Sequence, residues 1–106
     1  NATNHHYDPV QALQQLPVEK IVALHIAGHQ RLEEPHPAAG MLLDNHGAKV
    51  CSSVKELFEV TLKLTGPLPV LLERDHNVPP LTTLLDEVRE LRKIWRRLFP
   101  DQGECQ

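Results

Sequence analysis

Apolar residues in this chain gather in runs whose spacing alternates between helical and extended. Val10, Leu13 and Leu16 fall on one stripe, Asp8 is placed to cap the free amides and Pro9 suits the first turn, so a helix is expected over 9–16 before Pro17 stops it. Residues 20–27, Lys-Ile-Val-Ala-Leu-His-Ile-Ala, are almost wholly apolar, which predicts a strand covered on both faces, as in a parallel sheet, ended by Gly28. A connection rich in proline, through Pro35, His36 and Pro37, leads to Met41-Leu42-Leu43, read as a second buried strand over 41–45 that closes on Asp44-Asn45-His46-Gly47. Ser53 and Glu56 have capping-box spacing, and Val54, Leu57, Phe58 and Thr61 recur at helical intervals up to Gly66-Pro67, predicting a helix over 53–65. A third buried strand is expected over 69–74, finishing in Glu73-Arg74-Asp75. After Pro79-Pro80 the longest helix is expected over 81–99, with Leu81, Leu84, Leu85, Val88, Leu91, Trp95 and Leu98 on its apolar face and Pro100 at its end. Alternation of this kind predicts an α/β fold of about three βα units with parallel strands.

Composition narrows the picture little. At 106 residues, 41% hydrophobic and 24% charged, the chain suits one globular domain and not a disordered segment. The net charge of -3 offers no global field for nucleic acid or an anionic membrane. The basic stripe Arg89, Arg92, Lys93, Arg96 and Arg97 is interleaved with Asp86, Glu87 and Glu90 and reads as a solvated outer face. The most apolar stretch, 21–27, is far shorter than the roughly 20 residues of a membrane span, so no membrane partner is expected. Cys51 and Cys105 show no pairing signature; both are read as free thiols in a reducing, cytoplasmic setting.

The candidate chemistry lies where the strands end. In α/β proteins, ligands bind beyond the carboxyl ends of parallel strands, where loops and helix N-termini converge. The first strand carries His25 and, past Gly28, His29; the second ends with Asp44 and His46; the third with Glu73 and Asp75. Residues two apart on a strand share a face, so Asp44 and His46 would stand with Cα atoms about 6.5 Å apart and one cation could bridge them. Ala23 and Ala27 flank His25 on its own face and leave room for an ion. Imidazole and carboxylate together suit iron, manganese or zinc better than a soft thiolate site. Each feature also has a plainer reading: His25 as a hydrogen-bonded core residue, Asp44 to Gly47 as a turn, Glu73 to Asp75 as an ion-paired strand end. Three strand ends with the same chemistry favour the metal reading. His5, His6 and His36 read as solvated, as does His76, which lies close enough to the third strand end to reach its rim.

The motifs Leu24-His25-Ile26-Ala27-Gly28-His29, Leu42-Leu43-Asp44-Asn45-His46-Gly47 and Leu71-Leu72-Glu73-Arg74-Asp75-His76-Asn77, in that order, resemble the last part of the multinuclear non-haem iron-dependent oxidative enzymes, which include the methanobactin biosynthetic oxidase. The opening Asn1 to Pro9 resembles the family's segment after its fifth strand. The resemblance implies a xylose-isomerase-like TIM barrel with two or three irons at its carboxyl rim. Members use oxygen to modify cysteine in ribosomally made peptides, with a separate partner protein that presents the peptide. Carried over by position, it implies His25, Asp44, His46 and Glu73 as metal ligands, His29 as an active-site or supporting histidine, and Asp75 as a catalytic residue that orients a neighbour. An eight-fold barrel needs about 250 residues, so the chain is expected to be a C-terminal portion of the enzyme, inactive alone and prone to self-association through open sheet edges. Sugar isomerases and zinc-dependent endonucleases on related barrels share the strand-end pattern, and a small α/β oligomerising domain with incidental polar strand ends is the non-enzymatic alternative.

Overall fold

A computed structural model describes residues 1–102. Its helices are α1 (Ala2–His5), α2 (Pro9–Gln14), α3 (Ser52–Thr65) and α4 (Leu81–Leu98), and its strands are β1 (Leu24–Ala27), β2 (Gln30–Arg31), β3 (Leu42–Leu43) and β4 (Val70–Glu73). Short 3-10 turns occupy Val18–Lys20 and Pro100–Gln102. Cys105 lies outside the described residues, and Cys51 is a free thiol.

Local signals explain most boundaries. The Asp8 carboxylate accepts the Val10 N–H at 2.9 Å, and Pro9 opens α2. That helix ends at Gln14, short of the expected residue 16, because the residue before Pro17 is pushed out of helical conformation. The Val18–Lys20 turn takes Lys20, the first residue expected of the strand, and β1 begins only at Leu24. At the start of α3 the expected capping box does not form: the helix begins at Ser52, Cys51 is its N-cap without a side-chain cap, and the Ser53 hydroxyl lies 3.1 Å from Cys51 Sγ. Gly66, at φ 81°, ends α3 with its N–H on the Leu62 carbonyl.

Strands β1 and β4 pair in parallel, with Leu24 opposite Val70, His25 opposite Leu71, Ile26 opposite Leu72 and Ala27 opposite Glu73. Alternation sends Ile26 and Leu72 toward α3 and α4, where they join Val50, Phe58, Leu62 and Leu91 in the core. Trp95 closes the far end, its indole N–H on the Leu68 carbonyl and its ring edge-on to Phe99. His25, Leu71 and Glu73 share the opposite face, which the described residues leave open: Leu71 is 53% exposed. The expected cover on both faces of the strands is therefore present on one.

The second expected strand requires a larger correction. Residues 41–45 do not join the parallel sheet; Leu42–Leu43 pairs antiparallel with Gln30–Arg31, and Leu43 is exposed. This hairpin closes on itself, with the Leu32 N–H on the Met41 carbonyl and the Gly40 N–H, at φ 92°, on the Leu32 carbonyl. The Asn4 side chain grips Leu42 from the N-terminal end, accepting its N–H at 2.9 Å and donating to its carbonyl at 2.8 Å. The apolar run is too short to span a sheet, and the local partner wins. The described chain thus holds two parallel strands, a mixed α/β arrangement compatible with part of a barrel, in place of the three expected.

Candidate metal centre

Three segments deliver the polar groups to one rim. Glu73 is the last residue of β4 and faces the same side as His25 on β1. The loop after β3 carries Asp44 and His46, and the loop after β4 carries Asp75. Gly28 lets these segments close up, since a Cβ built there would stand 2.0 Å from the Ala48 carbonyl oxygen. His46 adopts the left-handed region at φ 52°, an uncommon conformation for a residue with a Cβ, which turns its ring toward the strand ends.

The His46 ring is the centre of the cluster. Its Nδ1 lies 2.9 Å from Asp75 Oδ2 and 3.2 Å from Glu73 Oε1, and its Nε2 lies 2.8 Å from Asp44 Oδ1. The other Glu73 oxygen, Oε2, is 3.4 Å from His25 Nδ1. The Asp75 hydrogen bond raises the His46 pKa above the ordinary histidine value; partial desolvation opposes it, and the charges of Asp44, Glu73 and Asp75 add to it. His29 lines the same hollow of about 1020 Å³ as His25 and Asp44, bounded by α1, α2, β1 and α3, without joining the ion pairs.

The donor set fits a cation. Ligand atoms of His46, Glu73 and Asp75 all lie within 4.8 Å of one another. Two carboxylate oxygens converge on one ring nitrogen there, and like charges so placed repel unless a proton or a metal ion lies among them. Oxygen and imidazole donors without thiolate suit iron, manganese or zinc.

The residues read as ligands from the sequence, His25, Asp44, His46 and Glu73, come together, and Asp75 stands within the group where the sequence pointed to an orienting role. Other contributors were missed. Asn45 bends its own loop, its side chain accepting the Gly47 N–H at 3.1 Å and donating to Gln30 at 2.9 Å; an Asx turn at Asn45-His46-Gly47 was the available signal. Glu87, expected on the solvated face of α4, is instead 3% exposed. It sits at the margin of the apolar stripe, where periodicity does not decide.

A chain with an imidazole and carboxylate cluster beyond the carboxyl ends of parallel strands falls in the class of α/β proteins with a rim site. Residues 1–96 match the family described as RiPP precursor modification enzyme MbnB/TglH/ChrH, and the chain belongs to that family. It is 46% identical over 87 residues to a UPF0276 protein of Bordetella parapertussis, covering 82% of this chain and 30% of that one. A UPF0276 protein of Nitrosospira multiformis is 42% identical over 105 residues, covering 99% of this chain and 35% of the relative. One from Shewanella sediminis is 43% identical over 93 residues, covering 88% and 32%. The chain thus spans about a third of the length of these curated relatives. No solved structure matches it.

Proposed function

We propose that the chain supplies part of the metal centre of an enzyme that modifies cysteine in ribosomally made precursor peptides. The convergence of Glu73, Asp75 and Asp44 on the two nitrogens of His46 carries this reading. His46, Glu73 and Asp44 would hold the metal, with His25 beside Glu73 as a further donor. Iron is the favoured ion, at two or three per whole enzyme, with zinc and manganese as alternatives for the same donors. When bound, iron would supply oxygen-dependent oxidation of the peptide thiol.

The chain's own residues bind, orient and manage protons. Asp75 fixes the ring plane of His46 and receives the Nδ1 proton that must leave when a cation enters. His29, in the hollow beside His25 and Asp44, would meet a peptide bound there. A separate protein would present that peptide. The whole enzyme is a xylose-isomerase-like barrel in this reading, and donors beyond this chain complete the cluster, so the chain alone does not turn over. No helix among the described residues is long and apolar enough to cross a membrane. The scarcity of cysteine supports a reducing, cytoplasmic setting.

Metal analysis after anaerobic loading tests the proposal. The chain is expected to retain iron or zinc through gel filtration, and the double substitution Asp44→Ala with His46→Ala to lose it. Equal metal content in both proteins would overturn the reading and favour incidental polar strand ends.

A further inference from the structure

We propose that Glu87 and Arg74 are positioning residues for the donor cluster, their ion pair closing a ring of otherwise hydrogen-bonded links that fixes the loop of His46 against the loop of Asp75. The inference deepens the metal-centre reading and rests on it. Glu87 is the buried charged residue among those described. From α4, its Oε1 accepts the Val50 N–H at 2.9 Å, anchoring the end of the loop that carries His46. Its Oε2 lies 3.6 Å from Arg74 Nη1. Arg74 stands between Glu73 and Asp75 in the chain, and its side chain is only 14% exposed. Its Nε donates to the His76 carbonyl at 3.3 Å and its Nη2 to the Asn77 carbonyl at 3.1 Å, so one guanidinium holds the whole turn after β4.

Two further bonds close the ring. The Asn77 side chain donates to the Gly47 carbonyl at 3.2 Å, and the Asp75 N–H donates to the His46 carbonyl at 2.7 Å. Both left-handed non-glycine residues of these loops, His46 at φ 52° and Asn77 at φ 48°, lie inside it. Such conformations persist when their surroundings over-determine them, and the ring does so from both sides. A buried ion pair is weak evidence of stability, since apolar residues of similar volume often serve as well. What Glu87 and Arg74 do that apolar residues would not is bond both loops at once. Their effect reaches the metal through the angle of the His46 ring and the Asp75 carboxylate.

Mn(II) binding to the full chain, read from the EPR signal of the unbound ion, tests this. Glu87→Gln is expected to weaken binding about tenfold or more, the range seen when groups supporting a ligand are removed. Ile94→Ala, a core truncation away from the ring, is expected to lower the melting temperature and leave Mn(II) affinity unchanged. Should Glu87→Gln not fold, Arg74→Lys replaces it, keeping the charge and losing the forked geometry. Wild-type affinity in the folded variant, alongside lost binding in His46→Ala, overturns the proposal. If His46→Ala binds as the wild type does, the metal reading itself fails. The ring is then judged by solvent exchange of the Asp75 amide: about tenfold faster in the variant supports it, and an unchanged rate refutes it.

Discussion

Gly28 illustrates how one residue sets the geometry of the rim. A methyl group there would overlap the Ala48 carbonyl, with further contacts at 2.5 and 2.7 Å to Ala48 and Lys49 backbone atoms, none of which belongs to a side chain that can swing away. Gly28→Ala must therefore push the 44–50 loop off the end of β1, and overpacking of this kind destabilises by about 1–3 kcal/mol. The urea midpoint is expected to fall, and metal retention with it; a variant with wild-type midpoint and metal content would contradict the close packing. By contrast, Gly40 meets nothing within 4 Å, and its positive φ alone accounts for the glycine. His46 shows the limit of sequence reading at this scale. Its residue type makes it a candidate ligand on sequence grounds, whereas its left-handed backbone and its pivotal place among three carboxylates are set only by the fold.

Between elements, the contact of α3 with α4 combines a buried core with a rim of charge. Phe58 and Leu62 from α3 meet Leu91 from α4 in the core. At the edge, Lys55 forms an ion pair with Glu90, and Lys49 stands 3.8 Å from the same carboxylate. The Lys55 hydrogen bond and charge hold the Glu90 pKa below the ordinary carboxylate range, with Lys49 and Lys93 adding to the effect. A carboxylate with a lowered folded-state pKa stabilises above its unfolded value, and that stabilisation disappears as pH falls through the folded value. The difference in melting temperature between the wild type and Glu90→Gln should therefore be present at neutral pH and vanish in acid. Because Glu90 is 41% exposed, the difference is expected to be small and to shrink further in 1 M salt. A gap that grows on acidification would contradict the assignment. Helices α2, α3 and α4 and the two paired strands were legible because their signals are local: a capping aspartate, a proline stop, an apolar stripe; α1 has none of these and was not. Residues 41–45 were misread because a run of three apolar residues carries no information about its partner.

At the scale of the whole chain, the open sheet is the dominant feature. In the described residues β1 and β4 pair only with each other, and the face bearing His25 and Leu71 lacks the cover given to the other. Unpaired strand edges and an exposed apolar face invite another chain. Light scattering is expected to show dimers or larger species at micromolar concentration, reduced by Leu71→Lys; a stable monomer would count against it. The relatives are about three times as long, and in the proposed barrel their additional strands would occupy these edges.

The amino-acid sequence alone determined the three longer helices, the two apolar strands, the residue types at the rim and the family resemblance, because caps, stops, periodicity and motifs act over a few neighbouring residues; the short helix Ala2–His5 carries no such signal. Tertiary structure decided which strands pair, that Leu42 and Leu43 turn back on Gln30 and Arg31, that His46 sits between three carboxylates, and that Glu87 is buried. Apolar spacing specifies which face of an element seeks cover. The choice of cover, and the convergence of side chains distant in sequence, follows from loop conformation and register, which only the folded chain sets.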